Sequence, residues 1–232
     1  MLPMRTINNP TQRTPYLTYG LILANVLVFL WETTKPLGEL NTLFYTLSVV
    51  PCEITRSPFS LETGVDIFRS MFLHASWLHL LGNMLYLWIF GSNVEDWFGR
   101  RAFLGLYFGS GIVAALAQTA LHSTACVPLV GASGAIAGVL GAFFVLYPGV
   151  HVRVGVIFFR FFLKTFRVPA LFVLGYWFLI QVFNGVTSLG ADTLSGGGVA
   201  FFAHIGGFVA GALLAFVATM LRPAPHVLDT GL

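Results

Sequence analysis

Predominantly apolar runs of membrane-spanning length recur along the chain at 17–31, 77–94, 102–121, 131–147, 169–188 and 199–221, separated by short polar breaks. A hydrocarbon core about 30 Å thick needs about 20 such residues in a helix rising 1.5 Å per residue. Backbone N–H and C=O groups in lipid have no water to bond, so each run predicts a helix and none predicts an open strand. The pattern predicts an all-α polytopic membrane protein. It is one domain over 1–232, with six transmembrane helices, a short cytoplasmic N-terminal segment at 1–16 and a short C-terminal tail at 222–232.

The polar breaks orient the spans. With the N-terminus inside, Arg5, Arg13, Arg100, Arg101, Arg153, Arg160, Lys164, Arg167 and Arg222 are cytoplasmic, against Lys35, Arg56 and Arg69 outside, the bias expected of cytoplasmic loops. The first external stretch, 32–76, is too long for a simple turn. Its Leu43-Phe44-Tyr45 and Pro58-Phe59 predict a segment lying against the membrane surface. Arg160, Lys164 and Arg167 fall at i, i+4 and i+7 among phenylalanines, a spacing that fits one face of an interfacial helix or a plain topology anchor.

Composition narrows the class further. Of 232 residues, 56% are hydrophobic and 9% charged, against roughly 25% charged in soluble domains, which excludes a water-soluble fold. The net charge of +3 is spread over the loops, with no basic stripe for nucleic acid. Residues 1–15 lack an apolar stretch ending in a cleavage site, so no cleaved signal peptide is expected. Cys52 and Cys126 fall on the oxidising side but give neither a disulfide framework nor a metal-ligand spacing, and are expected to be unpaired.

Chemistry is sought where lipid disfavours polarity. His79, Asn83, Ser133 and His204 sit inside predicted spans, where a polar side chain needs a reason. His79 and Asn83 are four apart and share one helix face, whereas His74, five before His79, points elsewhere. Ser133 opens its span within Gly131-Ala132-Ser133-Gly134, where first-turn N–H groups lack intrahelical partners and the helix dipole suits a developing oxyanion. Gly138 and Gly141 follow it, and Gly207 and Gly211 follow His204, so both helices carry a face that permits close approach. A serine needs a base to become a nucleophile, and neutral histidine provides one. No acid accompanies them, the nearest to the last span being Asp192, so the pair reads as a dyad. Asn83, His79 and the Ser133 N–H, with Gly131 in the same site, are the candidate oxyanion and substrate contacts.

Each residue alone has a plainer reading: a membrane serine commonly bonds back to a carbonyl, and a histidine can pack helices or relay protons. No H-E-x-x-H or G-x-S-x-G occurs, and His74, His79 and His204 make at most an improvised metal site, so no metal and no cofactor are expected.

Taken together, His74-Ala-Ser-Trp-Leu-His79-Leu-Leu-Gly-Asn83, Gly131-Ala-Ser133-Gly134 and Ala203-His204-Ile-Gly-Gly207 with Gly211 resemble the rhomboid intramembrane serine proteases in their bacterial-type six-helix form. The likeness runs over about residues 17–221. It implies Ser133 as nucleophile, His204 as general base, and an oxyanion site at His79 and Asn83. It also implies a water-filled cavity opening to the outside, transmembrane protein substrates entering sideways from the bilayer, and a bacterial inner membrane. Two departures are visible: the family's first-loop Trp-Arg pair appears as Phe68-Arg69, and Ala137 stands where some members place an aromatic. The competing readings are a non-catalytic rhomboid-like protein that binds membrane clients and a small transporter using the intramembrane polar groups.

Overall fold

The computed structural model describes residues 2–7, 11–57, 60–158, 161–189 and 199–224. All six apolar runs lie on helices: α1 (Tyr16–Glu32), α5 (Trp77–Tyr86) continuing into α6 (Ser92–Phe98), α7 (Arg100–Leu121), α8 (Ser133–Leu146), α9 (Ala170–Ser188) and α10 (Phe201–Leu221). A π-helical turn at Leu87–Gly91 joins α5 to α6 without a break. Among the described residues α7, α9 and α10 are long and apolar enough to cross a membrane, while α1 and α8 are shorter apolar helices. Between α1 and α5 the first long stretch is itself helical, as α2 (Leu37–Leu47), α3 (Pro51–Ile54) and α4 (Leu61–Ser70). Leu43 of that stretch is buried and Tyr45 exposed; Pro58 and Phe59 lie outside the described residues.

Helix ends follow from local chemistry. α5 starts at Ser76, whose hydroxyl accepts the His79 N–H, satisfying one of the orphan donors of a first turn. α1 begins after Pro15, which offers no cap. The Tyr16 N–H turns back to the Thr14 carbonyl, and those of Leu17 and Thr18 donate to the carboxylate of Glu95 on α6, which Thr18 also reaches through its hydroxyl. Gly99 adopts φ +75° between α6 and α7, a left-handed conformation that glycine takes without a Cβ clash, and the chain reverses there.

α8 forms the centre of the bundle, with every residue from Gly134 to Phe143 buried. Its glycines make this possible. A Cβ on Gly207 of α10 would run into the carbonyl of Gly134, and one on Gly211 into the carbonyl of Gly138, so α8 and α10 lie parallel with their backbones in contact. α9 is peripheral: its buried residues Ala170, Leu174, Gln181 and Gly185 form one stripe, and Phe172, Tyr176, Leu179 and Phe183 face outward.

The expectation of an all-α chain is corrected by a three-stranded antiparallel sheet in the order β1 (Leu2–Ile7), β2 (His151–Phe158), β3 (Phe161–Pro169). Val152 and Val154 are buried, the period-two alternation of a strand with one covered face. Lys164 and Arg167 therefore belong to a strand rather than to an interfacial helix, and Arg160 lies outside the described residues. A second correction concerns the cysteines: Cys52 and Cys126, 74 residues apart, are joined in a disulfide. It straps α3 to the segment before α8, alongside the bridge between Val49 and Leu129. That strap fixes the approach to Ser133.

Candidate active site

α8 and α10, held backbone to backbone, bring the two principal side chains together. His204 Nε2 lies 2.8 Å from Ser133 Oγ, within ordinary hydrogen-bond range. The other ring nitrogen, Nδ1, lies 2.8 Å from Oε1 of Gln181 on α9, and the Trp177 ring from one turn earlier packs against the imidazole at 5.7 Å between centroids. The aromatic beside His204 thus comes from α9. Ala137, where some resembling sequences carry an aromatic, is fully buried and lines the α8–α10 contact. Gln118 of α7 accepts the Ala203 N–H at 3.2 Å, securing the first turn of α10 next to the histidine.

His79, Asn83, Ser133 and His204 all line one cavity of about 660 Å³, open at one side and closed in part by Tyr45 and by the segment from Val127 to Val130. Gly131 sits under His79. Its φ is +122°, and a Cβ there would strike the imidazole ring, so only glycine permits this approach. The Gly131 N–H donates to the Ser70 carbonyl at 2.8 Å, tying the turn before Ser133 to the end of α4. The expected site residues are therefore brought to one place.

His74 departs from its expected orientation. It reaches Asn83, with Nε2 2.9 Å from Nδ2, and its ring lies 5.1 Å from that of His79. Nδ1 faces the Phe72 carbonyl at 3.2 Å, which can only accept, so Nδ1 carries the proton. Burial, reinforced by His79, pushes the His74 imidazole down to about 4 and keeps it neutral. Nε2 is then an acceptor and takes one of the two Asn83 amide hydrogens, leaving the second for the cavity. The His74 N–H in turn donates to the buried carboxylate of Glu32, the last residue of α1.

Gln181, Gln118, His74 and Glu32 were not among the expected site residues. The signal that finds the first two is the one that found Ser133: an uncharged polar side chain in an apolar run. Phe68 packs on Phe108 and Arg69 pairs with Asp66 within α4, so neither reaches the cavity. Asp192 and His226 lie outside the described residues.

Comparison with known proteins defines the class. The model of the Rhomboid domain matches residues 62–221, and the chain belongs to the rhomboid family. It is an integral membrane protein. Similar proteins include Rhomboid protein 1, mitochondrial, of Saccharomyces cerevisiae, 31% identical over 202 residues, which cover 85% of this chain and 51% of that one. The human Presenilin-associated rhomboid-like protein, mitochondrial, is 32% identical over 126 residues, 53% of this chain and 31% of that one. RHOMBOID-like protein 5 of Arabidopsis thaliana is 33% identical over 164 residues, 68% and 44% respectively. The chain spans about half or less of the length of these curated relatives. Two of the three are mitochondrial by name and lend no support to the expected bacterial inner membrane.

Proposed function

We propose that this chain is an intramembrane serine endopeptidase that cleaves transmembrane segments of other membrane proteins, with Ser133 as nucleophile and His204 as general base. The observation that carries the reading is the 2.8 Å contact between His204 Nε2 and Ser133 Oγ at the wall of a cavity. His204 Nε2 takes the Ser133 proton as Oγ attacks the scissile carbonyl carbon, and the carbonyl electrons move onto oxygen. The imidazolium then gives that proton to the leaving amine nitrogen as the C–N bond breaks. Water repeats the cycle on the acyl ester, and Oγ departs with its proton restored. The oxyanion is met by the Ser133 N–H, by the Asn83 amide hydrogen that His74 does not use, and by His79.

The same reading takes the helical runs as six spans with the N-terminus on the cytoplasmic face, in keeping with the distribution of basic residues. Parallel α8 and α10 suit two even-numbered spans. α8 has 14 residues; at 1.5 Å per residue it is about 21 Å long, short of a core about 30 Å thick. With its far end at one interface, Ser133 lies beneath the other, where the cavity admits water and a locally unwound substrate. In a bacterial inner membrane that side faces away from the cytoplasm.

The test is cleavage by purified protein in liposomes of a transmembrane substrate with helix-destabilising residues near the cavity face. A fluorophosphonate probe run in parallel should label Ser133. Neither cleavage nor labelling, with the substrate still bound, is the outcome expected of a client-binding protein and would reject protease activity. Asn83→Ala removes one oxyanion donor, which is typically associated with about 2.7–4 kcal/mol, and should lower kcat roughly 10²–10³-fold. The rate should also show an acidic limb: imidazolium cannot accept the Ser133 proton, so turnover falls as His204 becomes charged. A pH–rate profile flat on its acidic side would remove His204 from the role of base.

A further inference from the structure

We propose that Gln181 is a positioning residue that holds His204 in the one neutral tautomer able to take the serine proton; the inference rests on the protease reading above. A neutral imidazole carries its proton on either ring nitrogen, and in the wrong tautomer Nε2 would present N–H to Ser133 and could not act as base. The environment of Gln181 fixes the choice. Its Nε2 donates to the Trp177 carbonyl one turn earlier on α9, at 3.4 Å. A carbonyl only accepts, so the amide NH₂ is committed to that side and Oε1 faces the ring. Oε1 is itself an acceptor 2.8 Å from Nδ1 of His204, which requires the proton on Nδ1 and the lone pair on Nε2. That lone pair points at Ser133 Oγ, 2.8 Å away.

The donors therefore run in one direction: Ser133 O–H to His204 Nε2, His204 Nδ1–H to Gln181 Oε1, and Gln181 N–H to the Trp177 carbonyl. Gln181 is 7% exposed, so water competes little for either end of the amide. Trp177 holds the plane of the ring from the same helix, four residues away. The other groups around the histidine do not decide its tautomer. Gln118 spends its oxygen on the Ala203 N–H, and His79 shares the cavity with His204 rather than a ring hydrogen bond. An amide in this place orients the ring as a carboxylate would, without putting a formal negative charge into the bundle.

The experiment compares wild type with Gln181→Met, which keeps length and removes the acceptor, and Gln181→Glu, which keeps it. Three readouts are taken: thermal unfolding, substrate cleavage across pH, and ¹⁵N NMR of the His204 ring, assigned with His204→Ala. Gln181→Met should lower kcat on the order of 10- to 100-fold with KM and unfolding temperature little changed. Its His204 should lose the single Nδ1–H signature and show mixed tautomers. Gln181→Glu should recover most of kcat at alkaline pH and move the acidic limb to higher pH, by on the order of one unit, because a carboxylate favours the imidazolium. A wild-type ring protonated on Nε2, or a Gln181→Met enzyme with wild-type kcat and tautomer, would overturn the inference. If wild type neither cleaves nor takes the probe, it is the protease reading that fails, and the ring spectrum still decides the role of Gln181.

Discussion

Ser133→Ala and His204→Ala should each lower kcat on the order of 10⁴-fold or more, and the double variant should be no slower than the worse of the two. Nucleophile and base act as a unit: once either is absent, the other has nothing left to contribute to the same transition state. What survives comes from the oxyanion donors and from holding the substrate, neither of which needs the pair. Both variants should fold, because Ser133→Ala loses one hydrogen bond of the chain between α8, α10 and α9 and His204→Ala loses two, typically about 1 kcal/mol each. Steady-state cleavage in liposomes, with unfolding temperature as a control, measures both quantities. Fluorophosphonate labelling should vanish in Ser133→Ala and drop steeply in His204→Ala, whose serine lacks its base. Cleavage by Ser133→Ala at the wild-type rate would end the assignment.

The pair could be read from the amino-acid order because its members are chemically out of place. A histidine and a serine in apolar runs, each followed by glycines at helical spacing, point to two helices that meet closely, and α8 and α10 do meet there. The helices themselves were legible for a related reason: lipid leaves the backbone few alternatives, so hydropathy and length carry most of the information. Outside the apolar runs that constraint lapses. Residues 151–169 hold basic residues at helical spacing and valines at strand spacing, and the valines decide, because Val152 and Val154 are the residues that become buried.

The remaining surprises depend on contacts between distant segments. Nothing local to Cys52 or Cys126 announces their pairing; it follows from α3 lying beside the segment that leads into α8. Glu32 reads as the first residue of the external stretch 32–76, yet it is 1% exposed, and its carboxylate accepts the His74 backbone N–H. Gln181 is an uncharged amide in an apolar run, as Asn83 is, but it lies outside the three motifs that hold Asn83, Ser133 and His204. Its role appears only once α9 is laid against α10. Each case is one in which a polar group finds its partner on another element, which periodicity along one element does not reveal.

The tightest of these inter-element contacts should also be the least tolerant of change. Gly211→Ala adds one methyl group where α10 touches the backbone of Gly138, and the atoms it meets are the carbonyl oxygen, the carbonyl carbon and Cα. No rotamer relieves a clash with backbone, so the helices must separate by roughly 1–2 Å, and misplacement on that scale is enough to cost about 10²-fold in rate. Overpacking typically costs about 1–3 kcal/mol, and here the upper end or more is expected, since the displaced partner is the buried central helix. The better helix propensity of alanine returns about 1 kcal/mol at most. Gly109→Ala in α7 is the matched control: a Cβ there meets nothing within 4 Å, so only the propensity gain applies and activity should be unchanged. Thermal unfolding in detergent and cleavage in liposomes are compared for the two variants. Equal stability of Gly211→Ala and Gly109→Ala would mean that α8 and α10 are not in backbone contact, and the hydrogen bond between Ser133 and His204 would lose the packing that brings it about.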